Sequence, residues 1–146
     1  MFDKRNAMDQ TDLSISTDKT LLNVPLIVAF ITNSYWGKDY LPAQIEESIK
    51  YSLCFGLYKN SNQIGFARVV ADTPCTAWLY DVFILPQYQK LGYGKFLLEH
   101  VFNYPQLNTI DTWSLKTRDA HELYEKFGFR RVENSERLMH KLTSNK

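Results

Sequence analysis

ILPQYQKLGYGKFLLEH, residues 84–100, joins the end of an apolar run to a proline, a basic and aromatic stretch with glycines at 92 and 94, and a run of leucines. A strand that stops at Pro86, a short polar turn and a helix form an anion site by geometry alone. The first amides of a helix have no intrahelical partner, its dipole is positive there, and glycine lets a phosphate approach the backbone closely. Gly92 and Gly94 stand where that approach would occur, with Lys90 and Lys95 adding charge at the rim. Two nucleotide signatures fail on spacing. A Rossmann turn needs a third glycine where Leu97 stands, and a P-loop needs Ser or Thr after Gly-Lys, where Phe96 follows Lys95.

Immediately before this turn, TAWLYDVFIL (76–85) is rich in aromatic and branched residues and predicts a long buried strand that Pro86 ends. Before it, LCFGLYKN and QIGFARVVA are two further β runs, and the NSN of 60–62 predicts a hairpin turn between them. Earlier still, Leu26, Ile27, Phe30 and Ile31 fall at helical spacing within 21–36, with Pro25 suited to a first turn. Ile45 and Ile49 mark a second, shorter helix over 41–52, and DLSIS (12–16) alternates as a short strand.

Downstream, Phe96, Leu97, Leu98, Val101 and Phe102 give a helix with a broad apolar face that Pro105 stops. IDTWSLKT (110–117) predicts another strand. Asp119 and Glu122 form a capping-box pattern for a helix carrying Ala120, Leu123, Tyr124 and Phe127 on one stripe, with Gly128 as its C-cap. FRRVE (129–133) and RLMHKL (137–142) are expected to be closing strands. The order is strand, two helices, three strands, helix, strand, helix, strands: a mixed α/β sheet rather than a regular βαβ repeat.

Composition narrows the function classes. The chain has 146 residues, 45% hydrophobic and 23% charged, with a formal net charge of +1. That length suits one domain, expected over 11–146 behind a loose polar fringe at 1–10. Near-neutral charge argues against a general polyanion binder, so any anion site is local and no nucleic-acid partner is expected. No run approaches the roughly 18 apolar residues of a membrane span, and the N-terminus lacks an apolar signal region, so no membrane partner and a cytoplasmic location are expected. Cys54 and Cys75 lie outside any CxxC spacing and read as small core hydrophobes. His100, His121 and His140 show no ligand spacing, and no metal is implied.

ILPQYQKLGYGKFLLEH resembles the acyl-CoA-binding signature of the GNAT (Gcn5-related N-acetyltransferase) family, whose core is [Q/R]xxGx[G/A] between the fourth strand and the third helix. Gln89, Gly92 and Gly94 occupy its fixed positions, and Pro86 and Tyr88 match the common approach to it. DAHELYEKFGF (119–129) is similar to the family's late helix, matching at Ala120, Tyr124, Gly128 and Phe129. SYWG (34–37) together with TRDAHELYEKFGF (117–129) is similar to a bacterial subgroup of the family. The resemblance implies the GNAT-like fold, a central, mostly antiparallel sheet flanked by helices.

It also implies an N-acetyltransferase moving an acetyl group from acetyl-CoA to a primary amine, small molecule or peptide, by direct attack in a ternary complex. Gln89, Lys90, Leu91, Gly92, Tyr93, Gly94 and Lys95 would hold the pyrophosphate. Phe83, Ile84 and Leu85 would pair with the amides of the pantetheine arm. Thr117 stands where many relatives carry an asparagine seven residues before the tyrosine, and it is a further candidate coenzyme contact. Tyr124 would meet the coenzyme sulfur as proton donor.

Asp81 is the odd residue of its apolar strand. Leu79, Asp81 and Phe83 are expected to share a face, so the carboxylate needs a partner, water or a substrate ammonium; it is the candidate base. Tyr35 and Trp36, between the first two helices, are candidates for an aromatic acceptor wall. The alternative from another class is a catalytically silent acyl-CoA-binding sensor or regulatory module. Either a monomer or a homodimer is compatible with the sequence.

Overall fold

A computed structural model describes residues 8–72 and 74–143, so most of the N-terminal fringe lies outside the described residues. The chain divides between Lys116 and Thr117 into two compact units.

The first unit is built on one sheet in the order β1-β2-β3-β4-β5. These strands are β1 (Leu13–Ser16), β2 (Leu53–Lys59), β3 (Asn62–Ala71), β4 (Thr76–Ile84) and β5 (Thr112–Ser114). The first three pairings are antiparallel and β4 with β5 is parallel. Asn60 and Ser61, at φ 51° and 66°, close the β2–β3 hairpin where NSN predicts it. Positive φ at both central residues matches the right-handed twist of the flanking strands.

The helices α1 (Val24–Thr32) and α2 (Pro42–Lys50) cover one face. Asn23 caps α1 by accepting from Leu26 N at 3.1 Å, and Gln44 Oε1 accepts from Leu41 N at 2.8 Å at the start of α2. Each helix presents isoleucines four residues apart. Ile27, Ile31, Ile45 and Ile49 form a buried cluster with Cys54, Phe66 and Phe83 of the sheet. On the other face α3 (Tyr93–Phe102) buries Tyr93, Leu97, Leu98 and Val101, and Tyr104 just beyond it meets Phe55 edge-on at 5.1 Å.

The face assignment along β4 differs from simple alternation. Phe66 pairs with Phe83 and Arg68 with Tyr80, so Asp81 and Val82 together oppose Ala67. This β-bulge holds Asp81 at φ 55°. The extra residue shifts the phase: Phe83 and Tyr80 lie on the α1–α2 face with Phe66 and Arg68, while Leu79, paired with Val69, lies on the other. Leu79 and Phe83 therefore do not share a face, contrary to the two-residue period.

The second unit holds α4 (His121–Glu125), shorter than the stripe to Phe127 suggests. The expected Asp119–Glu122 capping box does not form. Ala120 is the N-cap with no side-chain cap, and its own amide donates to Thr117 Oγ1 at 3.0 Å. Gly128 closes the helix as expected, at φ 91°, with its amide on Glu125 O and that of Phe129 on Tyr124 O. The closing strands expected at 129–133 and 137–142 are irregular instead. Val132, Leu138, Met139 and Leu142 are exposed, and apolar alternation without a ladder to join does not make a strand.

Candidate active site

The glycine turn joins β4 to α3 through left-handed backbone. Lys90 and Gly92 both adopt left-handed conformations, φ 63° and 100°, so the chain doubles back before α3 begins at Tyr93. Gln89 braces the turn from within, its side-chain amide donating to Ile84 O at 2.8 Å. Phe96 N is the first amide of this helix bonded back into it, to Gly92 O at 3.0 Å. The amides of Tyr93, Gly94 and Lys95 precede it and are the donors a helix N-terminus offers an anion. A Cβ on Gly94 would meet Ile84 at 3.8 Å, an ordinary contact, so α3 packs close to the end of β4 here.

β4 leads directly into this turn with one edge released from the sheet. β5 pairs with Thr76, Ala77 and Trp78 and ends at Ser114, while β4 runs on to Ile84 paired with β3. Among the described residues, the strand edge from Leu79 to Ile84 that follows the β5 pairing has no further strand beside it. Of the candidate pantetheine contacts, Phe83 and Ile84 lie on this segment and Leu85 follows it. Phe83 and Ile84 are buried, and Leu85 N is committed to Ile64 O at 2.8 Å.

At the bulge, Asp81 is engaged on both oxygens. Trp36 Nε1 donates to Oδ1 at 2.9 Å and Arg68 Nε donates to Oδ2 at 2.9 Å. Only 14% of the Arg68 side chain and 11% of that of Asp81 is exposed, so this is a largely buried ion pair whose mutual neutralisation matters more than a surface pair's. Arg68 also donates through Nη1 to Ser52 Oγ at 2.9 Å and lies 4.6 Å over the ring of Tyr80. Ser52 Oγ in turn donates to Ser48 O at the end of α2.

Each residue of the SYWG stretch has a local reason. Ser34 Oγ donates to Ile31 O at 2.6 Å and accepts from Gly37 N at 3.1 Å, tying off the end of α1. A Cβ on Gly37 would run into the Ile31 side chain and carbonyl, so glycine is required where the chain crosses that helix. Tyr35 meets Trp36 edge-on at 5.3 Å, and Phe30, which stacks on Phe83 at 4.0 Å, lies 6.3 Å from Trp36. The candidate wall is thus an aromatic series running from half-exposed Tyr35 to the buried core.

Within the second unit, Tyr124 is buried and its ring packs edge-on against Phe129 at 5.7 Å. Thr117 is occupied as the acceptor for Ala120 N.

The sequence reading missed Arg68 and Ser52. An arginine at the centre of QIGFARVVA was the available signal, but its partner depends on β3–β4 register across the bulge. His100 lies exposed on α3 and contacts its own helix at Phe96. Burial pushes the Cys54 thiol up to about 11, which suits a core residue and not a nucleophile, whereas Cys75 is exposed, contrary to the core reading. Among the described residues no group of three or more His, Cys, Asp and Glu could hold a metal, and no helix is long and apolar enough to cross a membrane.

The GNAT acetyltransferase domain model matches residues 50–131. A Gibberella zeae protein assigned as an acetyltransferase is 28% identical over 139 residues, covering 79% of this chain and 77% of that protein. The ribosomal protein bS18-alanine N-acetyltransferase of Haemophilus influenzae is 37% identical over 82 residues, 53% of this chain and 54% of that enzyme. A crystal structure of a Xanthomonas campestris protein assigned to the GNAT family superimposes with a TM-score of 0.85 at 37% identity, covering 90% of this chain and 93% of that one.

Proposed function

The chain belongs to the GNAT acetyltransferase family, and from that premise we propose that it transfers the acetyl group of acetyl-CoA to a primary amine by direct attack in a ternary complex. The observation that carries this reading is the continuity of β4 into the glycine turn. A strand edge past the β5 pairing suits the amides of a pantetheine arm, and the left-handed Lys90 and Gly92 lead to α3 amides that suit the pyrophosphate. The relative that acetylates the alanine of ribosomal protein bS18 supports an amine acceptor.

The amine nitrogen attacks the thioester carbonyl carbon, the carbon–sulfur bond breaks, and coenzyme A leaves as the thiolate. Before attack, the ammonium must lose a proton. Asp81 is the proposed acceptor of that proton, directly or through water, using lone pairs beyond those that Trp36 and Arg68 engage. Backbone amides of β4 near Phe83 would polarise the carbonyl. As the tetrahedral intermediate collapses, the nitrogen would give up its second proton to solvent while Tyr124 supplies a proton to the departing sulfur, and Thr117 would line the coenzyme arm.

Incubation with acetyl-CoA and a panel of amines, followed by coenzyme A release and mass spectrometry of the acceptor, tests this. Acetylated product is expected. Coenzyme binding without product from any amine would point to a silent acyl-CoA-binding module instead.

A further inference from the structure

Beside the Trp36–Asp81 contact lies an open cavity of about 500 Å³ between α1, the connection that follows it and Pro86 in the turn after β4. Leu26, Ala29, Phe30, Tyr35, Trp36 and Pro86 supply most of its wall. Asn33 and Ser34 complete it, so among the described residues that line it there is no carboxylate, ammonium, guanidinium or imidazole. The aromatic wall touches one charged group, Asp81 through the Trp36 indole, and that carboxylate is already paired with Arg68.

We propose that this cavity seats the apolar part of the acceptor, which is a small primary amine carrying one uncharged aromatic or branched aliphatic group. The proposal rests on the acetyltransfer reading above and specifies its substrate class. Its volume falls within the range of small-molecule sites and exceeds what an amine of two or three carbons would fill. A second ammonium or a carboxylate on the acceptor would lie against a wall with no ionic partner, giving up part of its hydration for no compensating contact. An aromatic ring meets the opposite situation. It gains area removed from water against Leu26, Phe30 and Pro86 and has edge and face positions against Tyr35 and Trp36.

The aromatic wall is also held in place from the reaction side. Trp36 is pinned by its indole N–H to the bulge residue Asp81, and Gly37 is fixed against Ile31, so this part of the wall is preformed and tied to the strand that leads to the glycine turn. The polar end of the acceptor would then lie toward the bulge, with its apolar end in the cavity.

The test compares kcat/KM for phenethylamine and isoamylamine with that for ethylamine and spermidine at saturating acetyl-CoA. The apolar pair is expected to exceed both others on the order of tenfold or more, the usual scale for filling or leaving empty an apolar pocket. Equal or better turnover of ethylamine or spermidine overturns the proposal. If no amine turns over, the melting temperature of the coenzyme A complex decides: phenethylamine is expected to raise it, and no rise overturns the proposal. Ala29 lies on the exposed side of α1, where Ala29→Glu puts a carboxylate in the cavity and Ala29→Trp fills it, both without touching the core cluster. Each is expected to lower phenethylamine kcat/KM at least tenfold while the acetyl-CoA thermal shift persists; unchanged kinetics in both variants count against the cavity. Absence of any acetyl-CoA shift in the parent protein would instead defeat the acetyltransfer reading, so the two failures are separable.

Discussion

The indole of Trp36 and the carboxylate of Asp81, 45 positions apart in the chain, meet at 2.9 Å. That single bond ties the connection after α1 to the bulge of β4, and the Arg68 guanidinium holds the same carboxylate from β3. Trp36→Phe keeps the ring and its contacts with Phe30 and Tyr35 but removes the N–H. The acceptor KM is expected to rise on the order of tenfold while kcat changes less, because positioning is lost and chemistry is not. Steady-state kinetics with the acceptor varied and acetyl-CoA saturating give the answer; an unchanged KM would show the bond to be structural only.

Removing the guanidinium is a harsher change. Arg68→Met leaves Asp81 largely buried beside a neutral side chain, and loss of one partner of a buried pair costs about 3 kcal/mol or more. Urea unfolding should show this as a lower midpoint with an unchanged slope. The double variant Arg68→Met with Asp81→Leu should recover much of the loss, since the uncompensated charge is gone. Additive losses would mean that the pair is not energetically coupled.

The glycine turn predicts a coenzyme effect on stability. Acetyl-CoA and coenzyme A are expected to raise the melting temperature by mass action on the folded state. Gly92→Asp should abolish that rise, because it sets a carboxylate at the mouth of α3 and requires φ 100° of a residue with a Cβ. A Cβ there meets only Met8, at 3.7 Å, so the variant has room to fold. A wild-type thermal shift in Gly92→Asp would remove the turn from the donor site.

For Tyr124, the substitution to Phe keeps the ring packed on Phe129 and removes only the hydroxyl. Turnover is expected to fall on the order of a hundredfold, with the donor binding constant within about threefold of wild type, as for loss of a general acid. Wild-type turnover where chemistry limits the rate would return Tyr124 to the role of a core aromatic.

Cys54 gives a pH prediction. Burial raises its thiol from 9.0 to about 11, so between those values the unfolded chain loses this proton while the folded chain keeps it. The unfolded state then binds fewer protons, and stability falls as pH rises through that window. Cys54→Ala is expected to have a lower baseline stability, because a buried group is lost, and a shallower decline above pH 9. Parallel stability–pH curves for the two proteins would rule out a contribution from Cys54.

Features that short spans of chain encode are legible in the residues alone. The left-handed glycine at 92, the hairpin at Asn60 and Ser61, the isoleucine pairs of α1 and α2 and the C-cap at Gly128 all answer to constraints within a few residues. So does the family signature, because a phosphate-binding turn and the first turn of its helix form one contiguous piece. Everything else depends on how distant segments pack. The bulge at Asp81 inserts one residue into β4, reverses the phase that alternation assigns to Leu79 and Phe83, and creates the pocket into which Arg68 and Trp36 reach. The capping box at Asp119 did not form, and the apolar alternation after Phe129 found no ladder. A carboxylate in an apolar strand announces that it needs partners, but which ones arrive is set by strand register and by how the end of α1 is tied down, and neither is local to Asp81.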